Sequence, residues 1–196
     1  MKKEEVIEEF IRCGALLEGH FILSSGLHSS KYLQCALALS DPVRAKKLSS
    51  ALGKKIRESF DQKIELVVSP AMGGLIIGHE VASYLNVPFV FLEREGGDFK
   101  LRRGFNIKRK SRVLIIEDVI TTGKSAMECS NIVKTNSAKL AGYACVIDRS
   151  NEDISIRNQM VSQMKFNIET FTEDKIPEDL KKINPIEPGS RNLSKW

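Results

Sequence analysis

The chain has 196 residues, of which 42% are hydrophobic and 28% charged, and its net charge is +5. This length suits one domain with a sizeable core, with room for a small appended subdomain, and the composition is that of a soluble globular protein. The longest apolar runs fall well short of the roughly 18 residues of a membrane span, so no membrane partner is expected.

Residues 3–17 carry apolar side chains at Val6, Ile7, Phe10, Ile11 and Leu17, the spacing of an amphipathic helix, with Gly14 and Gly19 punctuating its end. Acids interrupt the apolar residues here, so a secretory signal is not expected and a cytoplasmic location is the default. Residues 20–39 alternate short apolar runs with Ser-Gly and Ser-Ser turns, which predicts two strands of a small β substructure. Asp41-Pro42 reads as the N-cap and first position of a helix running to about Phe60. Residues 64–68 read as an apolar strand, 69–74 as a turn, 75–84 as a helix and 88–92 as a further strand. Residues 94–110 form a Gly-rich, charged excursion that is expected to be mobile. A buried strand at 113–116, a helix across 126–136, a strand over 141–147 and a last strand near 165–170 follow. Strands alternating with helices predict an α/β fold, a mostly parallel twisted sheet flanked by helices on both faces.

Cys13, Cys35, Cys129 and Cys145 are scattered without a C-x-x-C pair and read as small buried hydrophobes in a reducing compartment. His20, His28 and His79 are equally dispersed and read as structural or surface residues. Lys100, Arg102, Arg103, Lys108, Arg109, Lys110 and Arg112 crowd one stretch, with only Phe99 and Phe105 as nearby aromatics. A solvated loop is the plainer reading, and no nucleic-acid partner is expected. An anionic small substrate explains the charge with fewer assumptions.

The stretch richest in chemistry is residues 113–125, VLIIEDVITTGKS. Its apolar run ends in two adjacent carboxylates, Glu117 and Asp118, and then opens into a Thr-Thr-Gly-Lys-Ser turn at the start of a helix. Unpaired N–H groups and the helix dipole suit that turn to a phosphate. The carboxylates suit sugar hydroxyls, which donate hydrogen bonds. A Walker A loop fails as a competitor, because the glycine it needs before Gly123 is Asp118. An ordinary strand-turn-helix corner is the plainer reading, weakened by the acids sitting where α/β folds place ligands.

These 13 residues resemble the phosphoribosyl pyrophosphate (PRPP) signature of the type I phosphoribosyltransferases. The resemblance implies that Glu117 and Asp118 hold the ribose hydroxyls and favour positive charge on the sugar. Val119, Ile120, Thr121, Thr122, Gly123, Lys124 and Ser125 would complete the PRPP contact, the last five around the 5-phosphate. In that family the loop corresponding to Ala71, Met72, Gly73 and Gly74 holds the pyrophosphate. The excursion would close over it, with Lys100 and Arg102 as catalytic cations and Arg94 and Arg103 as further PRPP contacts.

Residues 19–32, GHFILSSGLHSSKY, followed by Leu33, resemble the N-terminal hood of the orotate phosphoribosyltransferases, which puts Tyr32 and Leu33 against the pyrimidine. Val146-Ile-Asp-Arg149 is similar to the strand end where that family sets an Arg against orotate, and a guanidinium fork suits a planar carboxylate. Thr121 would also lie near orotate. For Arg149 the plainer reading is a surface salt bridge with Asp148 or Glu152. Enterobacterial-type members carry lysines where this chain has Gly73 and Ser24, and its excursion looks like a shorter-loop branch.

The resemblance further implies PRPP and orotate as small-molecule partners and Mg²⁺ as cofactor, held mainly through substrate oxygens, with Asp118 touching it through water. It implies a homodimer whose loop reaches the neighbouring site. The expected division is a helix and hood at 1–40, an α/β core at 41–175 and a helix and tail at 176–196, within one structural domain. Two other readings remain: a non-catalytic PRPP-binding regulator, which needs a DNA-binding module or a coherent basic face, and a purine phosphoribosyltransferase, which needs neither Arg149 nor the hood.

Overall fold

The acid-and-apolar spacing of the first residues folds as helix α1 (Lys3–Arg12), which buries Val6 and Phe10. It stops short of the predicted end because Gly14 takes φ +67°, a left-handed turn that glycine adopts without strain. Leu17 therefore lies in a strand, not a helix. That strand, β1 (Leu16–Ile22), pairs antiparallel with β2 (His28–Leu33). The expected strand character does not persist to residue 39: Cys35–Leu39 is a short helix, α2, burying Cys35, Ala38 and Leu39. Helix α3 (Pro42–Ser59) begins as predicted, with the Asp41 carboxylate accepting from the Val43 N–H at 2.8 Å and the Arg44 N–H at 3.0 Å. The computed structural model describes residues 1–23, 25–150 and 154–188. Ser24, Glu152 and the end of the predicted tail lie outside the described residues.

The core follows as β3 (Leu66–Pro70), α4 (Gly74–Leu85), β4 (Phe89–Glu95), β5 (Asp98–Leu101), β6 (Arg112–Ile120), α5 (Lys124–Thr135), β7 (Lys139–Asp148) and β8 (Met160–Lys165). The six strands form one sheet in the order β5-β4-β3-β6-β7-β8, parallel except for the β4–β5 pair. Strand β3 includes Ser69 and Pro70, so the turn that follows is shorter than predicted. The last core strand is β8, earlier than the predicted 165–170 strand. Near that position a two-residue strand, β9 (Thr170–Phe171), joins β1 and β2 in a separate three-stranded sheet. The charged excursion is not one open loop, since Arg94 lies in β4 and β5 folds back across a Gly96-Gly97 turn.

Alternation along the strands builds two apolar layers. Val67, Leu114 and Ile116 face Leu48, Leu52, Ile56, Ile77 and Val81 of α3 and α4. Val68, Val113 and Ile115 face Ala126, Cys129 and Val133 of α5. The hood shares the first layer through Val6, Phe10 and Leu33. After helix α6 (Glu178–Lys181), the chain clasps the hood: the Ile22 N–H donates to the Ile186 carbonyl at 2.9 Å, and the Ile186 N–H to the His20 carbonyl at 2.8 Å. The His20 Nδ1 donates to the Ile183 carbonyl at 2.9 Å, so its Nε2 accepts from His28 Nδ1 at 2.7 Å. His20 is thus structural. Among the described residues no helix is long and apolar enough to cross a membrane.

Helix α4 lies so close on β3 that a Cβ at Gly78 would stand 2.1 Å from Ser69 Oγ and 2.7 Å from the Phe89 ring. Gly78→Ala gains helix propensity of about 1 kcal/mol, but overpacking a filled core costs about 1–3 kcal/mol, and here the obstructing groups lie in strands. The variant is expected to unfold at lower urea concentration than the parent; an equal or higher midpoint would show that the α4–β3 contact yields freely.

Candidate active site

Strands β3 and β6 run parallel side by side, but the order in which successive strands are added reverses between them. The β3–α4–β4 unit winds one way from this point and the β6–α5–β7 unit the other, so the turns at residues 71–73 and 121–123 part and leave a crevice at the strands' carboxyl ends. Such a switch point is where open α/β sheets bind ligands. Residues 117–120, predicted to follow the strand, are its last four residues.

Because side chains alternate along β6, Glu117 and Asp118 leave opposite faces of the sheet. Glu117 turns to the α5 side, where the Ala126 N–H bonds its carboxyl, and it is only 9% exposed. Burial first, and then the Asp118 charge, push Glu117 up from 4.5 to about 8, against the opposing pull of Arg94. Asp118 turns to the α4 side, so close under the turn that a Cβ on Gly73 would be 2.7 Å from its Oδ1. Asp118 keeps some solvent contact as a residue, while its carboxyl end is enclosed. Burial raises its pKa too, offset in part by the N–H groups of Val119 and of Asp118 itself. A glycine at 73 is required for this approach, and Met72 beside it is 76% exposed. The Ala71–Met72 peptide is cis.

On the other side of the crevice, a cavity of about 40 Å³ is lined by Glu117 and residues 119–125. Gly123, at φ +73°, turns the strand into α5, which starts at Lys124 and not at Ala126 as predicted. Thr121, Thr122 and Lys124 are exposed, and the Thr122 hydroxyl accepts from the Lys124 N–H at 3.3 Å. Ile120 was expected to contact PRPP, but its side chain is 1% exposed and packs in the α5 layer, so only its backbone can face a ligand. A larger cavity, about 290 Å³, is lined by Ile56, Phe60, Ile64 and Leu85 among others, where α3 and α4 end, away from both carboxylates.

At the end of β7, Arg149 is half-buried, and its Nε has no hydrogen-bond partner among the described residues. Burial lowers its pKa, while Tyr32 and Cys35 pull the other way, which places the guanidinium beside the hood. The Tyr32 hydroxyl is raised chiefly by burial and senses both Arg149 and Asp118. Tyr32, Arg149 and Asp118 therefore share one corner. Leu33 joins that corner only through its backbone, since its side chain is in the core. The plainer reading of Arg149, a salt bridge with Asp148, is not the arrangement here: Asp148 pairs with Arg157 at 2.5 Å.

The excursion cations are held by acids of their own hairpin. Lys100 Nζ is 2.7 Å from Glu95, Arg102 is 3.5 Å from the same carboxylate, and Arg103 makes two bonds of 2.8 Å to Glu93. Arg94 lies over the Phe99 ring and pairs with Glu128 at 2.7 Å. Glu128 carries no motif signal of its own; its spacing from Lys124, four residues on, is a legible helix pair. Among the described residues there is no group of three or more His, Cys, Asp or Glu side chains set to hold a metal. Glu117 and Asp118 are the hard oxygen donors at the crevice.

A model of the phosphoribosyl transferase domain matches residues 38–175. The chain is 47% identical over 196 residues to the orotate phosphoribosyltransferase of Methylorubrum populi, covering 100% of both chains. It is 43% identical over 194 residues to that of Parvibaculum lavamentivorans, covering 99% of this chain and 100% of the relative. The chain belongs to the orotate phosphoribosyltransferase family. The solved orotate phosphoribosyltransferase of Aeropyrum pernix shares the fold, with a TM-score of 0.68 at 24% identity over 82% of this chain and 93% of that one. As a member of the family the chain is a pentosyltransferase, and the switch-point crevice is its candidate active site.

An acid whose pKa rises on folding binds more protons native than unfolded, so stability falls as pH climbs from its unfolded value to its folded one. For Glu117 that window runs from 4.5 to about 8. Glu117→Gln keeps an acceptor for the Ala126 N–H and removes the titration. Its melting temperature without ligand is expected to gain on the parent's by several degrees more at pH 8 than at pH 5, on the order of 2–4 °C per kcal/mol. Equal shifts at the two pH values would mean that Glu117 ionises normally.

Proposed function

We infer that the chain transfers the 5-phosphoribosyl group from PRPP to orotate, giving orotidine 5′-phosphate and pyrophosphate in pyrimidine synthesis. The observation that carries the base assignment is Arg149, a half-buried guanidinium beside Tyr32 and near Asp118 whose Nε has no hydrogen-bond partner among the described residues. A buried donor without a partner costs stability, and a planar carboxylate is the group that meets a guanidinium fork best. A purine offers no carboxylate to this corner. A regulatory reading has no observation in its favour.

In this reading the 5-phosphate lies on the turn at residues 121–125, where helix N–H groups favour an anion. The pyrophosphate lies against the turn at Ala71–Gly74, at the start of α4. Between them the ribose faces Glu117 and Asp118. As the bond to pyrophosphate weakens, positive charge grows on the sugar, and both carboxylates stabilise it while the crevice holds the orotate nitrogen in line. Thr121 and the Tyr32–Leu33 backbone border the base. Mg²⁺, which suits the hard oxygens of the substrate and, through water, of Asp118, would neutralise the leaving group when bound. Lys100, Arg102 and Arg103 would exchange their hairpin acids for pyrophosphate oxygens on closing, which excludes water from the reactive sugar.

A homodimer sharing this hairpin is part of the proposal. Apolar side chains exposed at Val43, Met72 and Ile76, at the starts of α3 and α4, offer surface for it. A cytoplasmic location is also proposed, resting on four free cysteines, three of them buried.

Loss of orotate absorbance with PRPP and Mg²⁺, run beside adenine, hypoxanthine and uracil, tests the assignment: turnover is expected with orotate, and a faster reaction with a purine would overturn it. Arg149→Ala is expected to weaken orotate binding by about 2–5 kcal/mol in calorimetric titration and to leave PRPP nearly unchanged, because it strands one carboxylate and spares the phosphate turn. Equal weakening of both ligands would remove Arg149 from the base site.

A further inference from the structure

Arg149 is held by what surrounds its backbone. On one side of it Asp148, 1% exposed, accepts from Arg157 Nη1 at 2.5 Å, from the Ser150 N–H at 2.9 Å and from the Ser150 hydroxyl. On the other side Arg157 Nη2 donates to Ser150 Oγ at 2.5 Å and lies 3.4 Å from the Ser150 carbonyl. One guanidinium thus grips both neighbours of Arg149. The Arg149 N–H itself donates to the Ile120 carbonyl at 2.8 Å, at the edge of the phosphate turn.

The segment carrying Arg157 touches that turn as well. Buried Ile156 lies where a Cβ at Gly123 would be 3.1 Å from its Cδ1, and Ser155 Oγ is 3.1 Å from Met127 Sδ in the first turn of α5. Burial alone would push Asp148 up, yet the bonds from Ser150 and Arg157 hold it below the ordinary carboxylate value. Without Arg157, Asp148 would be a buried charge with its counter-ion gone, a situation that a strand end relieves by moving. Arg149 sits on that strand end.

We propose that Arg157 is a positioning residue for orotate: by neutralising Asp148 and gripping Ser150 it aims Arg149 at the base, and with Ile156 it ties that aim to the 5-phosphate turn. This rests on the base-site reading of Arg149 above.

The test is steady-state kinetics of Arg157→Ala, Arg157→Lys, Arg149→Ala and the double alanine variant, with orotate and PRPP varied in turn. Misplacing a substrate-holding group costs on the order of 10- to 100-fold, so Arg157→Ala is expected to raise KM for orotate by about tenfold or more, with KM for PRPP within about twofold. Lys restores the charge on Asp148 but not the fork to Ser150, so Arg157→Lys is expected to fall between alanine and the parent. Residues acting through one another are not additive, so the double variant is expected to match Arg149→Ala. A fully additive double variant, or an unchanged KM for orotate in Arg157→Ala, overturns the proposal while leaving Arg149 in place. An Arg149→Ala variant with unchanged KM for orotate overturns both readings. If Arg157→Ala does not fold, Ser150→Ala takes its place with the same expected selectivity, and equal losses for both substrates then count against the proposal.

Discussion

The site depends on one geometric fact of β-strands, that consecutive side chains leave opposite faces. Glu117 and Asp118 are adjacent in sequence at the end of β6, so they cannot form a single doubly charged cluster. Each goes instead to a different helix, Glu117 to the start of α5 and Asp118 to the start of α4. The two helices lie on opposite faces because the chain reverses its winding between β3 and β6. The crevice is therefore lined by two anion-favouring helix starts with a carboxylate beside each.

Charge balance follows from that layout. Both carboxyls are desolvated enough to hold protons more tightly than in water, and Arg94 is the cation that opposes this at Glu117. Arg94 is shared with Glu128, and Lys100, Arg102 and Arg103 are occupied by Glu95 and Glu93. Lys100, Arg102 and Arg103 are thus held on the hairpin in exposed pairs that cost little to break. A highly charged ligand can recruit them without unfolding anything.

The sequence was most legible where one local signal decides the outcome. The Asp41-Pro42 helix start, the apolar runs of β3, β6 and β7 and the glycine of the phosphate turn all act through nearest neighbours. It was least legible where distant chain segments decide. The hairpin formed by β4 and β5 depends on Phe99 and Ile107 finding the α5 layer. The place of Leu33 and Ile120 in their motifs predicts ligand contacts, yet pleating turns their side chains into the core. The pairing of Asp148 with Arg157 had no local signature, since the partners are separated by a loop and the nearer Arg149 looked the simpler mate.

Glu117, pushed up to about 8 by burial and the Asp118 charge, is expected to be mostly protonated at pH 7 and to ionise when ribose hydroxyls donate to it beside bound Mg²⁺. Calorimetric titration of PRPP with Mg²⁺ at pH 7, in buffers of different ionisation enthalpy, measures this directly. The parent protein is expected to release more protons per site than Glu117→Gln, by a difference approaching about one. The same proton release from both proteins would contradict this, because Glu117 would then keep one protonation state before and after the ligand binds.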